Sequence, residues 1–95
     1  MVVGIMELHL ALYDQGSLKA KRSVVKRVRH RCRNTFNVAA AEVDDLDFTD
    51  RAILGVVAVG NDARFVRSLL DKVEAFVERL ELAEILEAPK TVETY

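Results

Sequence analysis

The sequence predicts an α+β protein in which two helices cover one face of a four-stranded, mostly antiparallel sheet. Two long stretches, residues 17–36 and 62–80, repeat apolar residues with the 3.6-residue period of a helix. The segments around them alternate apolar with polar residues or are almost continuously apolar, which is typical of strands. The predicted order is strand, helix, strand, strand, helix, strand, and a chain of 95 residues forms one domain, residues 1–95.

The first strand is predicted at residues 2–13. Alternate side chains there are large and apolar, namely Met6, Leu8, Leu10 and Leu12. This alternation indicates a strand with one face against a core. Leu54 and Val56, from the third predicted strand, are expected to belong to the same core.

The other three strands differ from the first in composition. Residues 36–44 form a short strand whose three alanines admit close packing. Residues 51–60 are almost continuously apolar, which predicts a central strand covered on both faces. Residues 83–93 form the last strand, and because Pro89 has no amide hydrogen to donate, we expect an edge strand or a bulge there.

The second helix is predicted to begin after the capping residue Asp62 and to end near Leu80. Residues at helical spacing predict its apolar stripe, which is Phe65, Leu69, Val73, Phe76 and Leu80. The outer face of this helix carries both signs of charge, as a solvated surface does.

The connections predict the sheet topology. Right-handed crossovers place the first and third strands side by side in the middle of the sheet, and we expect them to be parallel to each other. Two helices on one face of such a sheet make the split βαβ, or ferredoxin-like, fold. The other face is then open, and its apolar residues, such as Val3, Ile5 and Ala11, predict a homodimer across that face or through edge strands.

Basic residues are concentrated on the first helix, which follows a turn at residues 14–16. Residues 17–36 contain eight lysines and arginines and no acid, whereas the rest of the chain has six bases and fifteen acids, a charge of −9. Such a polarised chain favours a negatively charged partner. The apolar stripe that should hold this helix on a core is Leu18, Val25, Val28, Cys32 and Phe36.

The basic helix is also the candidate site. Its free N-terminal amides and nearby cations are a combination that holds phosphate, although cations at this end cost about 0.3–1 kcal/mol each. The predicted anion- or nucleic-acid-binding residues are Ser17, Lys19, Lys21, Arg22, Lys26, Arg29, His30 and Arg33. Lys21 points toward the apolar side, from which its stem can extend outward. The competing interpretation is that acids of the fold or of a dimer neutralise this face.

Several motifs resemble those of the YlxP-like family, a bacterial domain of unknown function (family 503). They run in order over nearly the whole chain: Ser17-Leu18-Lys19-x-Lys21-Arg22, Arg33-Asn34-x-Phe36-Asn37-Val38, Ala41-Glu42-Val43-Asp44, Asp47, Arg51-Ala52, Leu54-Gly55-Val56 and Asn61-Asp62. Thr49, beside Phe48, stands where the family usually has tryptophan. The resemblance implies a ferredoxin-like fold and, from the gene neighbours of the family, a context of translation or ribosome maturation.

Motifs for catalysis, metal binding and cofactor binding are absent from the sequence. The aspartates at 44, 45, 47 and 50 lack the glycine and closing glutamate of a calcium loop and are interpreted as an acidic turn. The single cysteine, Cys32, is expected to be buried. The apolar run at residues 1–13 is neither a signal peptide nor long enough to span a bilayer, so we expect a cytoplasmic protein without a membrane partner.

The predicted function is therefore binding without catalysis, and no catalytic residue, metal ligand or cofactor is assigned. In the leading hypothesis the basic helix contacts RNA or a ribonucleoprotein, in a translation or ribosome-maturation context. The alternative is a structural or regulatory homodimer whose basic helix contacts an acidic protein surface, including its own acidic turn. An enzyme is the third hypothesis, and no sequence feature favours it.

Overall fold

The fold is seen in a computed structural model, which describes residues 1–13 and 16–95. The predicted turn before the first helix includes Asp14 and Gln15, which lie outside the described residues. The helices and strands are β1 (Val2–Ala11), α1 (Leu18–Thr35), β2 (Ala39–Asp44), β3 (Arg51–Gly60), α2 (Ala63–Leu80), β4 (Glu84–Glu87) and β5 (Lys90–Thr94). This α+β architecture confirms the predicted fold class.

The sheet has the order β2-β3-β1, with β4 and β5 both pairing with the outer side of β1. β1 and β3 pair in continuous register from Val2 opposite Gly60 to Ala11 opposite Arg51, so their central position is confirmed. Their predicted parallel orientation is wrong, because the pairing is antiparallel. Helix α1 returns the chain to the starting end of the sheet, so β2 has the same direction as β1. The hairpin between β2 and β3 then reverses the chain direction, which makes β3 antiparallel to β1.

The last predicted strand is divided into β4 and β5 at Ala88 and Pro89. β4 pairs with the end of β1 near Ala11, and β5 pairs with its beginning. The carbonyl of Pro89 accepts a hydrogen bond from the amide of Glu7 at 3.1 Å, which bridges the interruption. The edge position and the irregularity at Pro89 are therefore both confirmed.

The core lies between the sheet and the two helices. The four predicted core residues of β1 and β3 are at most 1% exposed, and they are Leu8, Leu10, Leu54 and Val56. From α1 the fully buried apolar residues are Val25, Val28 and Cys32. Burial raises the pKa of the Cys32 thiol to about 11, so it stays protonated at neutral pH and acts as a small apolar side chain.

The buried stripe of α2 differs from the predicted one. The fully buried residues are Val66, Leu70, Val73 and Val77, and Phe65 is 60% exposed. The predicted and the observed stripe both have helical spacing, because apolar residues cover a wide arc of α2. In the structure the smaller valines of this arc face the sheet. The start of α2 comes very close to β1, since a Cβ atom on Gly4 would lie 2.4 Å from Val66 Cγ1.

The middle of α2 is connected to the edge strand β5 by ion pairs. Lys90 on β5 donates a hydrogen bond to Glu74 Oε1 at 2.5 Å and lies 3.4 Å from Asp71 Oδ1. The hydrogen bond to Glu74 raises the pKa of Lys90 above its usual value, with a smaller opposing effect of burial. This contact holds the short edge strand against the helix layer.

Lys21 is completely buried, and its predicted role in anion binding is wrong. Its Nζ donates to Glu42 Oε2 at 2.5 Å, to the carbonyl of Asp45 at 2.9 Å and to that of Leu46 at 3.5 Å. All three ammonium hydrogens therefore have acceptors inside the fold. Lys21 connects α1 to β2 and to the turn that follows it, where Asp45 has a positive φ of 57°.

The sheet face opposite the helices carries exposed apolar side chains. They include Ile5, Val43, Val57 and Val59. The prediction that β3 is covered on both faces is wrong for the single chain, because both helices pack on the same side. The predicted open face, in contrast, is confirmed.

Replacing Lys21 with methionine should destabilise the fold by about 3 kcal/mol, because it leaves the Glu42 carboxylate, whose side chain is only 14% exposed, without its partner. Urea unfolding measures this change. The double variant Lys21→Met/Glu42→Leu should recover most of the stability, because an apolar pair replaces the ion pair. Lys19→Met, on the exposed side of the same turn, is the control and should change stability by less than about 0.5 kcal/mol. Equal effects of the two lysine variants would contradict the assignment.

Amide hydrogen exchange should be slowest in β1 and β3, because each of these ten-residue strands is paired on both sides and packs on the core. β4 and β5 are short and lie at the edge, so their amides should exchange faster. Protection of residues 84–94 equal to that of β1 would show that the edge strand opens only with the whole fold.

Candidate nucleic-acid-binding helix

Helix α1 is set in place by its ends and by its apolar stripe. The hydroxyl of Ser17 accepts a hydrogen bond from the amide of Ala20 at 3.1 Å, which confirms Ser17 as the N-cap. At the other end the amide of Phe36 donates to the carbonyl of Cys32. Phe36 also contacts Phe76 of α2 edge-to-face, with ring centroids 5.3 Å apart. The helix is thus fixed, with its basic side facing away from the sheet.

The remaining predicted cations form an exposed face on α1. Lys19, Arg22, Lys26, His30 and Arg33 are exposed, and Arg29 is half-buried. Within residues 1–13 and 16–95, none of these six has an ion pair within 4.0 Å. Within the described fold, an acidic partner therefore neutralises Lys21 but none of these six residues. The face extends for about 20 Å, at about 1.5 Å per residue of helix.

A shallow groove follows this face on the side of β2. Its volume is about 220 Å³, and it is lined by Arg22, Val25, Lys26, Arg29 and Glu42. The Nε atom of Arg29 is buried and has no hydrogen-bond partner in the described part of the chain. Three of the five lining residues are basic, and the one acid, Glu42, is paired with Lys21, so this groove suits a ligand that supplies acceptor oxygens.

A second groove on α1 was not predicted from the sequence. It has a volume of about 260 Å³ and is lined by Ser23, Lys26, Arg27, His30 and Arg31. The spacing of four between residues 23, 27 and 31 was a usable signal, because such residues form one row on a helix. Lys26 lines both grooves, so the basic surface is continuous around the outer side of α1.

The beginning of α2 serves as an internal comparison. Its N-cap is Asp62, whose carboxylate accepts a hydrogen bond from the amide of Arg64 at 3.0 Å. A negative side chain thus occupies the positive end of that helix dipole. At α1 the capping group is an uncharged hydroxyl, and Lys19 and Arg22 add positive charge beside it. Of the two described helices, α1 therefore has the electrostatics of an anion site.

Other candidate features do not form an anion or metal site. A cavity of about 550 Å³ between the end of β1, the end of α2 and β4 has three carboxylates in its lining, Glu78, Glu81 and Glu84, which disfavour anions. In the parts of the chain that the structure describes, no group of three His, Cys, Asp or Glu residues is arranged to hold a metal ion. Neither described helix combines the length and apolar character needed to cross a membrane.

Comparison with known proteins gives a fold and a family. The structured domain of Drosophila melanogaster Boca superposes with a TM-score of 0.57 at 13% identity, covering 97% of each chain. A de novo designed protein with a ferredoxin fold gives 0.53 at 14% identity, over 100% of this chain and 87% of that one. These likenesses show the fold alone, and the second confirms the ferredoxin-like prediction.

The sequence comparisons agree with the resemblance of the motifs. The uncharacterized protein YlxP of Bacillus subtilis (strain 168) is 36% identical over 77 residues, which cover 81% of this chain and 84% of YlxP. The profile of a family described as a protein of unknown function, DUF503, matches residues 3–89. The chain therefore belongs to the DUF503 family.

Proposed function

We propose that this protein binds RNA, or a ribonucleoprotein, through the basic face of α1 and that it catalyses no reaction. The observation that carries the proposal is the set of exposed cations on α1 that have no acidic partner in the described chain. Like charges at helical spacing repel each other, and a negatively charged partner relieves this repulsion. Ribosomal RNA is such a partner, and a protein that binds it would act in the cytoplasm.

The proposed contacts are to the phosphate backbone of structured RNA. Binding of single strands usually needs aromatic side chains on which bases stack. In the described part of the chain the exposed aromatic residues are Tyr13, Phe48, Phe65 and Tyr95, and all of them lie outside α1. The open sheet face, which stacks bases in other RNA-binding domains of this shape, carries valine and isoleucine instead. Charge and shape therefore favour a double-stranded or compact RNA.

A second candidate function is a structural or regulatory homodimer in which α1 contacts an acidic protein surface. The acidic turn favours it, because Asp44, Asp47 and Asp50 are exposed and offer a surface of opposite sign on the same chain. Within one chain, Lys21 of α1 donates hydrogen bonds to two backbone carbonyls of this turn, those of Asp45 and Leu46. The two functions differ in their response to ribonuclease, which removes the partner only in the first.

Replacing Lys19, Arg22, Lys26 and Arg33 with glutamine should weaken binding to a short RNA duplex. Affinity measured against salt concentration should also become less salt-dependent, by about one unit of log–log slope for each phosphate that the variant no longer binds. The matched control replaces Arg64, Arg67, Lys72 and Arg79 of α2, which are also exposed, so that the net charge changes equally. Equal weakening in the two variants would show that only the total charge matters, and the proposed site would be wrong.

The same four substitutions on α1 should leave the fold intact and stabilise it by up to about 1 kcal/mol. They remove like-charge repulsion along the helix and cations from the positive end of its dipole. Urea unfolding of the parent and the variant measures the difference. A variant clearly less stable than its parent would mean that these cations are neutralised within the protein, as the second candidate function requires.

A further inference from the structure

The open face of the sheet is the largest surface that the proposed function leaves unused. Its outward side chains are almost all apolar and come from the three strands β1, β2 and β3: Val3, Ile5, Ala11, Ala39, Ala41, Val43, Ile53, Val57 and Val59. Ile5, Val57 and Val59 are 45%, 37% and 57% exposed, respectively. Hydrophobic side chains arranged side by side in this way mark an interaction surface.

This face is continuous and flat enough to meet another sheet. Val3 lies opposite Val59, and Ile5 lies opposite Val57 in the pairing of β1 with β3. Val43 of β2 reaches over Gly55, since a Cβ atom on that glycine would lie 2.9 Å from Val43 Cγ1. The apolar side chains of three strands thus form one surface without a gap at the glycine.

The charged groups that β1 and β3 place on this face have partners of their own. The His9 imidazole and the Glu7 carboxylate lie 3.1 Å apart on β1. Arg51, at the end of β3, lies 4.4 Å above the ring of Phe48 and 3.7 Å from the Asp50 carboxylate. Glu84, Glu87 and Glu93 of β4 and β5 also point to this side and have no ion pair in the described chain, but they lie at the edge of the sheet, where an interface leaves them in contact with water.

The size of the face matches that of a stable interface between two proteins. Ten residues at about 3.3 Å each and four strand positions at about 4.8 Å each, the fourth being shared by β4 and β5, give a footprint of at most about 600 Å² for the whole face. The accessible area is larger than this footprint because side chains project from it. A specific interface buries about 800 Å² on each partner, whereas peptide-sized ligands need less. The face therefore fits another folded domain.

We propose that the occupant is a second copy of this chain, packed sheet to sheet about a twofold axis. An apolar centre on three strands, with its unpaired acids confined to one edge, can pack against a copy of itself, which is what a twofold interface requires. Sheets packed in this way lie about 10 Å apart with strands crossing at about −30°. The dimer then has four layers, helices outside and two sheets inside.

This arrangement also places the two basic helices on opposite outer surfaces. Taking about 10 Å for each step between layers, the α1 helices of the two copies are separated by about 30 Å and face away from each other. One RNA duplex cannot lie on both. If the proposed function holds, the dimer has two separate binding surfaces and bridges two RNA segments, and this part of the inference rests on that function.

Sedimentation without RNA tests the dimer independently of any RNA binding. We expect the parent protein to sediment with twice the mass of one chain at micromolar concentration. In the variant Ile5→Lys/Val57→Glu the new charges lie directly opposite each other and preserve the strand pairing, so circular dichroism should be unchanged while the mass is halved. The control Phe65→Lys changes an even more exposed apolar residue on the helix side and should remain dimeric. A monomeric parent, or a variant that stays dimeric, would overturn the proposal.

Bridging is tested with two short RNA duplexes, one carrying a fluorescent donor and the other an acceptor. The parent should bring them together and produce energy transfer. The monomeric variant should bind each duplex with unchanged affinity per site and should show no transfer. A dimer that binds RNA without bridging would refute the outward arrangement of the helices. A dimer that binds neither duplex would instead contradict the proposed function and leave the sheet interface supported.

Discussion

The alternation of side chains along β1 and β3 is the constraint on which the rest of the structure depends. Leu8 and Leu54 lie opposite each other and point toward the helices, whereas Ile5 and Val57, also paired, point away from them. Because successive residues of a strand face opposite sides, one pair of strands determines both the site of the core and the composition of the open face. The helices cover only one of these faces. The second remains apolar, and a small domain cannot cover it with its own chain.

Most of the fold was predictable because its signals are local. Periodicity identified both helices, and Pro89 identified the interruption of the edge strand. The relative direction of β1 and β3 was predicted wrongly, although it follows from counting chain reversals. The stripe of α2 was assigned to Phe65 in place of Val66 because both lie in one wide apolar arc, and only the close approach of Gly4 selects between them.

The basic face of α1 was predictable from the sequence, but the burial of Lys21 was not. A lysine on the apolar side of a helix either extends to solvent or is buried with an acid, and the sequence does not distinguish the two. The deciding partner, Glu42, is 21 residues away and comes into contact only through the packing of α1 on β2. The groove beside Arg29 depends on the same packing. Local sequence patterns do not predict such contacts, because the residues involved are far apart in the sequence.

The energetics of α1 explain why a helix of one charge sign can exist at all. Its seven exposed or half-exposed lysines and arginines repel one another, and no acid on the helix offsets them. Each such pair costs a few tenths of a kcal/mol, whereas burying a valine such as Val25 or Val28 contributes about 1.5–3 kcal/mol. The apolar stripe therefore outweighs the repulsion. Helix α2 avoids this cost because it carries both signs of charge, and two of its acids, Asp71 and Glu74, also pair with Lys90. The fold thus balances charge between its elements at Lys90 and at Lys21, whereas the exposed bases of α1 have no acidic partner in the described chain. The burial of the apolar stripe compensates for the repulsion on α1. The exposed bases then form a surface on which approaching phosphates would lessen this repulsion.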